Sequence, residues 1–168
     1  MMNILDRRGR EALLRIRRKD WVSLLRELGR RGGGKRETGA FLLAHQDSDR
    51  RTVSRVVYLD DLDPRCLQGN IHFDGRAYSK LWDLCENENI MVIGDVHTHG
   101  GRSVGQSGVD ASNPMIARDG HVALIVPYLA RKVVSPGEVG VHRYQGVRGW
   151  TSWTGADAAA RLYVRRWL

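Results

Sequence analysis

Two histidines one residue apart, His97 and His99, are followed after seven residues by Ser107-x-x-Asp110. In an extended strand alternate side chains share a face, so the two imidazoles point the same way, about 7 Å apart along the chain at roughly 3.4 Å per residue. Gly100 and Gly101 then let the chain turn sharply. Ser107 and Asp110 stand at i and i+3, the spacing of one helical face, and the Asp110 carboxylate offers a hard oxygen as a third ligand. Two histidines, one aspartate and an open fourth position make the ligand set of a catalytic zinc, not a structural one. Each half also has an ordinary use. His-x-His occurs in surface loops, and Ser-x-x-Asp is a favourable helix start, with a serine cap and an acid in the first turn. Their coincidence behind one buried strand is what points to a metal. Asp95 lies on the same face of that strand and is a candidate to support the histidines from behind. His45, His72, His121 and His142 have no such company and read as structural or surface residues.

Positioning these groups requires a strand that ends at the histidines and a helix that begins at Ser107. The run IMVIG at 90–94 is continuous and apolar, as in a strand buried on both faces, and it leads directly into Asp95-Val96-His97. Upstream, residues 12–18 read as a first strand. Asp20 offers a helix cap, and Trp21, Leu24, Leu25 and Leu28 follow at helical spacing, with Arg30 and Arg31 at the negative end and Gly32 as the stop. The glycine run at 32–34 is no phosphate loop, because it follows a helix and Lys35 is followed by Arg36. Strands are expected at 37–44, 52–59, 121–127 and 138–146. A second helix is expected after Asp74, with Tyr78, Leu81, Trp82 and Cys85 on its apolar face. The tail from Ala156 to Trp167 reads as helical, with Leu162, Tyr163 and Trp167 buried. Alternating strands and helices without repeats or linkers predict an α/β sandwich with a mixed or mostly antiparallel sheet.

The 168 residues, 42% hydrophobic and 27% charged, fit one globular domain. No apolar leader opens the chain and no run is long enough to cross a bilayer, so a cytoplasmic protein with no membrane partner is expected. The two cysteines, Cys66 and Cys85, form no CxxC pair, which excludes a disulfide scaffold and a thiolate zinc site. The net charge of +8 comes mostly from arginines bunched at 7–10, 15–19, 30–36 and the C-terminus. These runs lack the interleaved aromatics of a single-strand platform, so nucleic acid is not the expected partner.

Taken together, His97-x-His99 and Ser107-x-x-Asp110 resemble the JAMM motif of the JAB/MPN metalloprotease family. That motif includes an upstream glutamate followed two residues later by glycine and a hydrophobic strand. Glu37-Thr-Gly39-Ala-Phe-Leu-Leu is similar to it, and this resemblance alone marks Glu37. Gly100 departs from the proline common in the family at that point. The resemblance covers about residues 10–145 of a single domain over 1–168, with a C-terminal strand and helix in 146–168. It implies a curved mixed β-sheet flanked by helices. It also implies one zinc held by His97, His99 and Asp110, with Glu37 as general base and Ser107 as oxyanion donor.

Active members of that family hydrolyse the amide bond after the C-terminus of a ubiquitin-like protein, by deconjugation or precursor processing. Residues 113–127 are similar to small bacterial members that accompany E1- and E2-like conjugation enzymes, including those of antiviral defence. Those enzymes and the ubiquitin-like protein or its conjugate are the implied partners, with part of the modifier groove expected at 63–75. Two other readings stay open at this point. One is a JAB hydrolase of sulfur-carrier protein adducts, which would use the same residues. The other is a non-catalytic basic module binding nucleic acid or protein, such as a RadC-type protein, although only one helix precedes Glu37.

Overall fold

The structure is a computed structural model that describes residues 11–68 and 71–165. In chain order it contains β1 (Leu14–Arg17), α1 (Arg18–Gly32), β2 (Gly39–His45), β3 (Arg55–Tyr58), α2 (Leu59–Leu62), α3 (Gly75–Asn87) and β4 (Ile90–Thr98). There follow α4 (Gly108–Ser112), β5 (Val122–Val126), β6 (Gly140–Tyr144), β7 (Trp150–Trp153), α5 (Gly155–Arg161) and β8 (Leu162–Arg165). Six strands form one sheet in the order β3-β2-β4-β5-β6-β7. Only β4 and β5 run parallel within it, so the sheet is mixed as expected. β1 and β8 make a separate parallel pair.

The helices cover both faces because β2 and β4 are apolar on both. On one face α1 inserts Trp21, Leu24, Leu25 and Leu28 against Leu42, Val96 and Leu124. On the other, Ala77 and Leu81 of α3 meet Phe41, Leu43 and Val92. Neighbouring residues of β2 thus alternate between the two cores, as the pleat requires. The Trp21 indole donates to Val134 O at 2.9 Å, which satisfies its N–H inside the core. Asp74 caps α3 as expected, accepting from the backbone N–H groups of Arg76 and Ala77.

Four local expectations need correction. Asp20 is not the cap of α1. Arg17 holds that position, and Asp20 lies in the first turn, ion-paired to Arg17. The helix runs through Gly32, and its left-handed cap is Gly33 at φ 57°. Trp82 is exposed, because the apolar face of α3 is narrower than its spacing suggested; the indole stacks on Tyr78 instead. The tail is not one helix to 167. The helix stops at Arg161 and Leu162–Arg165 pair with β1, which buries Leu162 in a strand. Trp167 and the basic run at 7–10 lie outside the described residues.

Three consecutive non-glycine residues, Tyr128, Leu129 and Ala130, have φ of 55°, 55° and 52°. This left-handed turn follows β5. It lies so close to α1 that a Cβ on Gly29 would stand 2.6 Å from Ala130 O. Glycine at 29 is therefore what lets the helix seat against the turn.

Candidate metal centre

β4 carries Asp95 and His97 in alternation and ends at Thr98, and His99 is the first residue beyond it. α4 carries Asp110. Its N-cap is Ser107, whose hydroxyl accepts from Asp110 N at 3.1 Å, while Asp110 Oδ2 accepts from Ser107 N at 2.8 Å. The capping box and the ligand reading are therefore one arrangement. The box fixes the rotamer of Asp110, and that rotamer faces the histidines. The Ser107 hydroxyl accepts in the cap and still carries a proton of its own to donate.

His97 Nε2 and His99 Nε2 are 3.1 Å apart, His97 Nε2 and Asp110 Oδ1 3.5 Å, and His99 Nε2 and Asp110 Oδ2 3.3 Å. A tetrahedron with zinc–ligand bonds of about 2.0–2.1 Å has edges of about 3.3–3.4 Å. The two imidazoles stand near that spacing, each facing its own oxygen of Asp110, and one donor atom from each residue lies within 4.8 Å of the others. Among the described residues this is the one group of three metal-ligating side chains so gathered. Their side chains are 15%, 15% and 23% exposed, so a fourth ligand can reach the site from solvent.

The tautomers fit this use. His99 Nδ1 lies 3.2 Å from Ser103 O, which only an N–H can bond, so Nε2 keeps its lone pair. His97 Nδ1 faces Asp95 Oδ2 at 3.9 Å. Asp95 is buried, and its Oδ1 accepts from His121 Nε2 at 2.6 Å. That bond commits the His121 proton to Nε2; the buried Nδ1 has no partner. In the metal-free chain burial opposes charge on His97. Asp110 and Asp95 outweigh it and raise the imidazole to about 9. Burial likewise works against the Asp110 carboxylate, but His97, His99 and Ser107 hold it far below the ordinary range. The cluster wants a cation, and a proton on His97 fills that need when no metal does.

Glu37 lies two residues before β2. Gly39 pairs with His97 across β2 and β4, and Thr98 N donates to Thr38 O at 2.9 Å. Glu37 and His99 thus both lie just past this paired end, His99 one residue after β4. Its carboxylate is not part of the ligand cluster. Gly39 leaves room for Leu59 and the Val96 carbonyl: a Cβ there would stand 2.8 Å from Leu59 Cδ1 and 3.0 Å from Val96 O.

The loop 100–106 is tied at several points. Tyr128 N donates to Gly101 O and Leu129 N to His99 O, at 2.9 and 2.8 Å. His142 Nε2 bonds Val104 O at 2.9 Å, while Ser152 Oγ holds its Nδ1 at 2.7 Å. Burial lowers the His142 pKa, in keeping with a neutral ring held between those partners. His121 and His142 are thus buried structural residues that brace the site from behind, whereas His45 and His72 are exposed.

Sequence reading missed Trp150. Its indole Nε1 donates to Ala111 O at 3.0 Å, and Tyr144 packs against its ring. This hydrogen bond reaches α4 from a distant part of the chain, beside the contacts that Asp110 makes with His97 and His99. α4 buries none of its residues, so Trp150 is one of its few ties to the sheet.

No protein-family model matches the chain. Among solved structures, a protein from Desulfitobacterium hafniense determined in solution is similar over 92% of this chain and 94% of its own, at 19% identity and a TM-score of 0.62. A JAB1/MPN domain protein from Archaeoglobus fulgidus is matched over 90% of this chain and 97% of its own, at 17% identity and a TM-score of 0.46. The first likeness is one of fold: the chain shares its architecture with the Desulfitobacterium protein over nearly the whole of both.

Proposed function

We propose that this chain is a JAMM-type zinc hydrolase that cleaves the amide bond after the C-terminus of a ubiquitin-like protein, from a conjugate or a precursor. The observation that carries the reading is the gathering of His97 Nε2, His99 Nε2 and the Asp110 carboxylate, one donor atom from each within 4.8 Å of the others and all three side chains partly exposed. The choice of substrate rests on the motif resemblance, and so do conjugation enzymes as partners and a cytoplasmic setting.

Zinc held by these three side chains would supply Lewis acidity and bring the pKa of a water from 15.7 to about 7. Glu37, outside the ligand set, takes the proton of the attacking water and passes it to the leaving amine. The Ser107 hydroxyl donates to the oxygen that becomes negative as the carbonyl is attacked, a contact whose loss costs about 100- to 1000-fold in rate. Asp95 and Ser103 O hold the far sides of the two imidazoles.

The test begins with metal, because that requires no substrate. Purified wild type should hold about one zinc per chain, and a His97→Ala, His99→Ala double variant almost none. A wild type that holds no metal under conditions that do not strip it overturns the reading. With metal established, linear fusions and lysine isopeptides of ubiquitin-like proteins identify the bond. Glu37→Gln should keep its zinc and lose about 100- to 10,000-fold in turnover. Wild-type turnover in that variant would remove Glu37 from the chemistry.

A further inference from the structure

We propose that the outer face of α1 is a docking surface for an acidic, amphipathic segment of a partner protein. Two adjoining surface grooves, of about 720 and 480 Å3, share Arg26 and Arg30. Together they are lined by six cations, Arg18, Lys19, Arg26, Arg30, Arg131 and Lys132, against a single carboxylate, Glu27. Glu27 is already engaged, accepting from both Arg30 and Arg31. Lys132 has Glu138 at 3.7 Å and Arg131 donates to Gly34 O, yet both remain exposed. The face is thus strongly positive, and the N-terminus of α1 beside Arg18 adds its own positive end.

Shape and floor separate a protein partner from a nucleic acid. Arg18 and Arg30 stand twelve residues apart on α1, about 18 Å at 1.5 Å per residue, which matches five or six residues of extended peptide at about 3.3 Å each. Between the cations lie Val22, Ser23, Gly29, Ala130 and Val133, a small and partly apolar floor. Val133 is 42% exposed, a large apolar side chain open to solvent among the described residues. Among the described residues no aromatic ring lines either groove, so they offer no platform for unstacked bases. A phosphate backbone would use the arginines and leave the apolar floor uncovered. A peptide that alternates carboxylates with aliphatic side chains would use both.

The surface stands apart from the metal centre, since α1 packs on the Val96 side of β4, the face opposite His97. It therefore holds or fails independently of the zinc reading.

The test is titration of the full chain with three probes: a short peptide of alternating glutamate and leucine, polyglutamate of equal length, and duplex or single-stranded DNA. The Glu-Leu peptide should bind most tightly and weaken as salt rises. Reversing two exposed charges, Arg26→Glu with Lys132→Glu, should weaken it about tenfold or more. Val133→Ser should weaken the Glu-Leu peptide and leave polyglutamate unchanged. The proposal is overturned if the charge-reversed protein, shown by its melting curve to be folded, binds the peptide as wild type does. It is equally overturned if Val133→Ser changes nothing, or if DNA displaces the peptide and loses its affinity in the same charge-reversed variant.

Discussion

At the scale of single residues, the sharpest consequence falls on Trp150. α4 is five residues long and buries none of them, yet it carries Asp110. Its cap fixes how Asp110 points, and Trp150 helps to fix where the helix lies. Trp150→Phe keeps a ring against Tyr144 and removes only the N–H donor. Zinc affinity should fall about 10- to 100-fold, the usual cost of losing an outer support of a ligand, with little change in melting temperature. A chelator-competition titration reads this directly, and an unchanged affinity would leave Trp150 as packing alone. The contrast with His97, His99 and Asp110 explains what sequence can disclose. Those three announce themselves because residue type and local spacing already imply a shared ligand. The Trp150–Ala111 bond spans 39 residues and joins a tryptophan to a backbone carbonyl, which leaves no trace in spacing. Glu37 is intermediate, visible only through a resembling motif and lying just outside the β2–β4 ladder.

At the scale of elements, α1 is held at its C-terminal end by a charged knot. Arg31 bridges Glu27, Asp60 and Asp61, and its guanidinium also lies 4.1 Å from the centre of the Tyr58 ring. The hydrogen bond from Arg30, helped by Arg31 and opposed by burial, lowers Glu27 from 4.5 to about 2. A carboxylate depressed in the folded state adds stability above its unfolded pKa, and that stability is lost as pH falls through the folded value. The stability difference between wild type and Glu27→Gln should therefore be fully present above about 4.5 and shrink towards pH 2, as urea titrations at several pH values would show. A difference independent of pH would mean that Glu27 contributes through packing. A second element-level test concerns the approach of β6 to the 100–106 loop. A Cβ on Gly140 would stand 2.0 Å from Val104 O and 2.6 Å from His142 Nε2. Gly140→Ala should push that loop away and weaken zinc binding in the same chelator assay, while Gly100→Ala, which meets nothing within 4 Å, should not. Helix α1, the Asp74 cap and β4 were legible because each is written in a local period or a capping residue. β8 was not. Leu162-Tyr163-Val164-Arg165 continues an alanine-rich helix without a breaker, and only a partner strand at the far end of the chain makes it extended.

At the scale of the whole molecule, that pairing closes the fold. Leu14 stands beside Leu162, Ile16 beside Val164, and Leu14 and Leu162 are both within the core that α1 covers. Leu162→Ala should cost about 2–5 kcal/mol. At about 2–4 °C per kcal/mol for a chain of this size, that lowers Tm by about 4–20 °C. Thermal melts test it, and zinc content per folded chain should stay at the wild-type level, because no ligand touches β8. A smaller shift would mean that the β1–β8 pair is an appendage.

The same pairing sets a timetable for synthesis. β1 is among the first described segments to be made, and its partner is the last. About 150 residues must be added between them, some 8–30 s at ribosomal rates of about 5–20 residues per second. His97, His99 and Asp110 are complete well before that interval ends. On a ribosome the chain thus holds all three ligand residues before Trp150 and His142 arrive to brace them, and while the underside of α1 still waits for its closing strand. The apolar edge of β1 is the surface that a nascent-chain chaperone would find bare for longest.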